Sequence, residues 1–404
     1  MRIPPRYSLP GLVLLSACGT RPPSAAGPGR DSAGITVVES ATPVAADSVA
    51  FRPDSAPAVD IGGGRDPHGE FAGIAGVARQ SDGSIAVADR GSQEIRVFDS
   101  TGRWVRSLGR KGGGPGEFEA LGQIFLLPGD SLAAYDFNHR RFSVFSPAGA
   151  VAREAALVAE GPIAYPQVTA VFPDGRLLVQ GLRNFGPGAV SGVVRDTAPL
   201  AIYSPQGHLV DSLGRFPGAE YLVQASSGGL TARALPFSRS LRTALAGDRI
   251  FLGITDRYQI GEYTAQGKLE RLIRRAHPDE PVTQADAAGY IEAQLQALPP
   301  ARAKDREAMR QSLQQSPFPR VRPHFGGFIV ARDGALWVRE FEGYDTGRPA
   351  RYAVFDRDGR WLGLASFPHG FTVYQAGSDF ALGTVKDADD VEHVRLYRLR
   401  ASRK

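Results

Sequence analysis

The residue types able to do chemistry fall into three groups. Three histidines, His68, His324 and His369, each precede a segment of alternating apolar character. Imidazoles brought together at one point could hold a divalent metal, the one cofactor the sequence offers. The second group is a polar set, Arg90, Asn138, His139, Arg140, Arg183, Asn184, Arg257, Tyr258, Glu340 and Tyr344, each following a short apolar strand. A guanidinium fork or a phenol ring gives a large contact at low entropic cost, so the set reads as a face for a peptide, a glycan or an anionic small molecule. It reads equally as the ordinary polarity of loops. The third group is the single cysteine, Cys18.

The familiar catalytic arrangements are missing. There is no Gly-x-Ser-x-Gly, no His-Glu-x-x-His, no phosphate-binding loop and no cysteine pair for zinc. The run Gly112-Gly113-Gly114 is followed by a strand pattern and no Lys-Ser/Thr, so it is not a nucleotide loop. Asp387-Ala388-Asp389-Asp390 lacks the glycine and distal glutamate of a calcium loop and reads as a solvated turn.

The elements that must position these groups are short strands. Glycine and proline, 48 and 30 of 404 residues, imply many turns. One unit runs through Asp82-Gly83, Ser84 to Asp89, Ile95 to Asp99, a turn at Thr101-Gly102, and Trp104 to Gly109. Each piece alternates and each break is a glycine turn. The order recurs from Gly129-Asp130, Asp174-Gly175, Gly247-Asp248 and Asp333-Gly334, with turn-to-turn spacings of 19, 20, 32, 20 and 25 residues. The extra length falls between second and third strands, which points to one variable face carrying the polar set.

A sixth unit, from Phe371 through Phe380–Val385 to Val394–Tyr397, lacks its own fourth strand. Ile35–Val38 or Ala58–Ile61 could supply it, joining the chain ends and removing exposed sheet edges. The sequence therefore predicts an all-β fold, a six-bladed β-propeller of four-stranded blades closed by an N-terminal strand. In that topology His68, His324 and His369 sit in loops leading into innermost strands, with Gln123 and Gln167 in related places. Either a metal at the central channel or polar lining of a wet channel follows.

Gly112-Gly113-Gly114-Pro115-Gly116-Glu117-Phe118, its echo Gly69-Glu70-Phe71, and Val97-Phe98-Asp99-x-x-Gly102 resemble the NHL-repeat type of six-bladed propeller, especially bacterial lipoproteins of that fold. The resemblance covers about 35 to 400 and weakens toward the C-terminus, where Gly-Glu-Phe is missing. It implies turns from Gly and Asp and aromatic packing between blades, with no particular activity.

Arg2 and Arg6, the apolar Leu9–Ala17 and then Cys18 have the order of a secretory signal too short to span a bilayer. Leu15-Ser16-Ala17-Cys18 resembles the lipobox of bacterial lipoproteins, which implies cleavage before Cys18 and acylation of its sulfur and freed amine. Residues 1–17 are then a signal, 18–34 a Pro/Gly/Ser-rich tether, and 35–404 the propeller. Gly19 replaces the aspartate that retains such proteins at the inner membrane, so the resemblance implies the outer membrane, facing periplasm or cell surface. With its one cysteine lipidated, the chain can form no disulfide, and its core must hold it. The formal charge of +5 falls to +3 once Arg2 and Arg6 are removed. With no Lys/Arg run, nucleic acid is not an expected partner, and a monomer is.

One interruption, about 281–316, reads as two helices before the fifth unit. Thr283 and Asp286 form an imperfect capping box, Ile291, Leu295 and Leu298 share a face, Pro299-Pro300 ends the first helix, and Arg302–Leu313 makes the second, with Met309 and Leu313 on one side. The pair is a cap over an apolar rim, or a lid or docking element. Two functions follow: a lipid-anchored, non-catalytic binding or scaffold module using the loop face, or a metal-dependent lyase, lactonase or hydrolase at the channel.

Overall fold

The computed structural model describes residues 30–402 apart from 33, 46, 65, 183–190, 227–228, 299 and 345–346. Cys18, the signal and most of the tether, and Arg183 and Asn184 lie outside the described residues.

Six antiparallel blades follow one another along the chain. Blade 1 is Ile74–Arg79, Ile85–Asp89, Glu94–Phe98 and Trp104–Leu108; blade 2 spans 121–156, blade 3 165–234, blade 4 241–275 and blade 5 325–367. Blade 6 takes Thr372–Ala376, Phe380–Lys386 and Glu392–Ala401 from the C-terminus and Val59–Ile61 from the N-terminus, with Val394 opposite Ile61. Of the two strands that could close the ring, Val59–Ile61 does so. Ile35–Ser40 instead pairs in parallel with the outer strand of blade 4, and Val49–Pro53 with that of blade 5, so the N-terminal segment covers outer edges.

Strand alternation explains why the ring packs. Ala86 and Ala88 of the second strand of blade 1 enter a core shared with blade 2. Their neighbours Ile85 and Val87 enter the core shared with blade 6 and the closing strand. Successive side chains point to opposite faces, so one strand feeds two interfaces and is buried at every position. Equivalent cores join blades 2 and 3, 3 and 4, 4 and 5, and 5 and 6. Gly102, at φ +87°, lies where a Cβ would stand 3.0 Å from Val59 Cγ1, so this turn needs glycine for both conformation and room. His393, buried between Asp60 of the closing strand (2.7 Å) and Asp387 (3.2 Å), fastens the seam; Asp387-Ala388-Asp389-Asp390 is a turn.

The glycine-rich motif is structural. Glu117 accepts from the Gly114 amide at 2.7 Å, Arg141 donates to the carbonyls of Gly113 and Gly114, and Phe118 is fully buried between blades 1 and 2. Arg96 does the same in blade 1, donating to the carbonyls of His68 and Glu70.

Two departures from the repeat matter for function. In blade 3 the extra length is not only a loop: Gly192–Tyr203, Leu209–Ser226 and Gly229–Ala234 form a long antiparallel arm. Between blades 4 and 5 lie helices α1 (Gln284–Gln296) and α2 (Arg306–Gln314), with the Thr283/Asp286 capping box complete. The second helix starts later than its sequence pattern because a 3-10 turn, Pro300–Asp305, occupies the expected first turn. Ile291, Leu295 and Leu313 form a small core with Phe237 of the arm's exit, so the pair is packed as a cap.

Candidate functional site

The described members of the polar set lie at or beside the connections between second and third strands, but they differ in what they can do. Buried carboxylates organise the loops of blades 1 and 2: Asp89 accepts from the Ala72 amide and Asp136 from the Glu119, Ala120 and His139 amides. Burial pushes the Asp136 carboxyl up, yet those donors outweigh it and its pKa is lowered overall. Arg90 and Asn138 are exposed, His139 stands between Asp136 and Glu119, and Arg140 lies over the Tyr165 ring at 5.2 Å. Tyr344 leaves the face: it packs on Phe237 and Tyr290 of the cap at 5.1 and 5.0 Å between ring centres.

The three histidines do not meet. His68 pairs with Asp66 and stacks at 3.9 Å on Trp104, in the outermost strand of blade 1, because its loop turns outward. His369 is exposed with Nδ1 2.9 Å from the Arg348 carbonyl, and His324 is buried beside Asp279. Among the described residues no three His, Cys, Asp or Glu side chains are arranged to hold a metal ion.

What the structure does assemble is a cleft over blade 4. A cavity of about 770 Å³ is lined by Ser40 of the edge strand, Asp256, Arg257 and Tyr258 of the blade 4 loop, Arg275 and His277 at the end of its outer strand, and His324 leading into blade 5. A second cavity, about 490 Å³, shares Asp256 and Asp279 and extends between the blade 3 arm and the segment leaving the helical cap. Both volumes suit a small ligand or a few residues of a larger one.

The wall of the cleft is an ionic network. The Tyr258 hydroxyl donates to Glu340 Oε1 at 2.8 Å, and Arg275 Nη1 donates to the same oxygen at 2.7 Å. The Arg275 guanidinium lies 4.0 Å over Trp361 and 5.0 Å over Tyr258. Burial, reinforced by the Glu340 charge, raises the Tyr258 hydroxyl well above its ordinary pKa, so it stays a donor. Glu340 is thus a buried anchor and Arg257, 70% exposed in its side chain, stands at the surface.

His277 stacks on Tyr258 at 5.5 Å and meets His324 edge-on at 5.3 Å. Burial, then the proximity of His277, lowers the His324 pKa, which favours the neutral ring. Its Nε2 lies 3.1 Å from Asp279 Oδ1, so the tautomer assigned from this contact carries hydrogen on Nε2 and leaves Nδ1 an acceptor. That Nδ1 is buried without a hydrogen-bond partner, as are Asp256 Oδ1, Arg275 Nε, and Nε and Nη2 of Arg195. Sequence reasoning reached Arg257, Tyr258 and His324 but missed Arg275, His277, Asp279 and Asp256. The run Arg274-Arg275-Ala276-His277-Pro278-Asp279 was the available signal, at the end of an outer strand and not in the loops considered.

The central channel is a separate space of about 560 Å³, bounded by the innermost strands of all six blades, with Gln123 and Gln167 facing it.

Comparison with known proteins agrees with the architecture. A family model for a 6-bladed beta-propeller, DUF5128, matches residues 72–157, essentially blades 1 and 2. A predicted exported protein from Bacteroides fragilis superposes with a TM-score of 0.50 at 13% identity, covering 91% of this chain and 99% of its own. Virginiamycin B lyase from Staphylococcus aureus gives 0.41 at 9% identity over 86% and 99% of the two chains, and a gluconolactonase from Xanthomonas campestris 0.40 at 13% over 87% and 97%. No curated protein matches. The chain is a six-bladed β-propeller; at these identities the likeness is one of fold. Among the described residues no helix is long and apolar enough to cross a membrane.

Proposed function

We propose that this protein is a lipid-anchored, non-catalytic binding module of the cell envelope that takes its ligand in the cleft over blade 4. One observation carries the reading: the cavity of about 770 Å³ is walled by the charged and polar side chains of Asp256, Arg257, Arg275, His277, Asp279 and His324. Carboxylates and imidazoles in this lining accept and its guanidiniums donate, so hydroxyl- or amide-rich ligands fit best. A glycan or a peptide meets that requirement. The lipobox-like Leu15–Cys18 supports the anchor, and Gly19 supports the outer membrane.

The test is a glycan and peptide array probed with the wild-type protein, His324→Gln and Arg257→Ala. Features bound by wild type and weakened about tenfold in both variants support the cleft. Features bound equally by all three proteins place the ligand elsewhere and overturn the assignment.

A further inference from the structure

The axial channel has a charge arrangement that the ring does not require. Arg242, in the innermost strand of blade 4, lines it. Arg242 Nε donates to the Gly326 carbonyl at 2.8 Å, and no carboxylate pairs with its guanidinium among the described residues. Water reaches this side chain along the channel, yet protein surrounds it closely enough that burial lowers its affinity for its proton. A cation in such a place lacks a counter-ion among the described residues.

A Cβ on Gly327 would touch Arg242 Nε at 3.8 Å, and one on Gly326 would touch Arg339 Cδ at 3.7 Å, so two guanidinium side chains flank this glycine pair. Arg339 donates to Thr372 Oγ1 at 2.9 Å and likewise has no carboxylate partner among the described residues. The nearby acids are committed elsewhere. Glu340 holds Arg275 and Tyr258, Glu342 holds Arg351, and Glu392 accepts from the amides of Gly73 and Ile74. Gln123, Gln167 and Gln375 add neutral hydrogen-bonding groups to the channel wall, which contains no carboxylate among the described residues.

We propose that the axial channel is a second ligand site, for a small oxyanion bearing carboxylate or phosphate groups, with Arg242 as its principal contact and Arg339 assisting at its edge. A guanidinium fork matches two oxygens of either group. The site is independent of the cleft, which uses other side chains.

Calorimetric titration of the full-length protein in detergent, with inorganic phosphate and separately citrate at constant ionic strength, tests it. One-to-one binding of either anion is expected, weakened about tenfold or more in Arg242→Gln and less in Arg339→Gln, and unchanged in Arg103→Gln on the opposite face. Phosphate alone binding identifies a phosphoryl ligand, and citrate alone a carboxylate. Should Arg242→Gln fail to fold, Arg242→Lys keeps the charge, loses the fork and should still weaken binding. No heat from either anion, or equal affinity in a folded Arg242 variant, overturns the proposal.

Discussion

Replacing Glu340 by leucine probes whether the cleft wall is one coupled network. The carboxylate is buried and receives both the Tyr258 hydroxyl and Arg275 Nη1. Its loss strands Arg275, whose side chain is only 12% exposed, without an anion. Breaking a buried pair from one side costs about 3–5 kcal/mol. For roughly 370 folded residues at about 2.1 cal/mol/K each, unfolding entropy near the midpoint is about 0.8 kcal/mol/K, so Tm should fall by about 4–6 °C. Glu340→Leu/Arg275→Met removes both charges and should recover most of that loss, because a buried ion pair exchanged for apolar groups is often near neutral. Scanning calorimetry of both variants against wild type measures this. A single variant within about 1 °C of wild type, or a double variant less stable than the single one, refutes the coupling.

Three further perturbations follow from the same geometry. Folded His324 binds its proton less tightly than the ordinary value of 6.5, so between that value and its lowered one the unfolded chain binds more protons. Stability should therefore fall as pH drops through 6.5 and level off below the lowered pKa, and His324→Gln should remove that portion of the Tm-against-pH curve. Phe237→Ala takes a fully buried ring from contact with Tyr290, Phe318, Phe341 and Tyr344 and should cost about 3–5 kcal/mol of local stability. Faster hydrogen exchange confined to the helical cap and the arm is the expected readout; unchanged exchange there would contradict the packing. Metabolic labelling with radioactive palmitate should mark the wild-type chain and not Cys18→Ala, and equal labelling of both would remove the anchor from the proposed function.

The ring was legible because its physics is periodic. Alternation along Ser84–Asp89 identifies the strand and also determines which side chains enter each of the two flanking cores. The closing strand was not, since Ile35–Val38 and Ala58–Ile61 are both apolar at alternate positions. Only the assembled ring offers an antiparallel edge to one and parallel outer edges to the other. The histidines misled for a related reason: chain order puts all three before inner strands, but the path of each loop decides where a ring lands, and Trp104 captures His68 at the periphery.

The residues that do converge come from places where the repeat is broken. The edge strand contributes Ser40, the blade 3 arm Val193 and Glu220, and the exit from the helical cap Pro317–Arg322, all against the Asp256–Tyr258 loop of blade 4. Repeated positions are constrained on both faces by neighbouring blades, so a polar change there disturbs two cores at once. An added arm, edge strand or helix pair meets the ring on one side only and leaves its other side free to present donors and acceptors. The cleft therefore lies where the chain departs from the repeat, and Glu340, at the end of a repeated strand, is the point at which the added wall is tied to the ring.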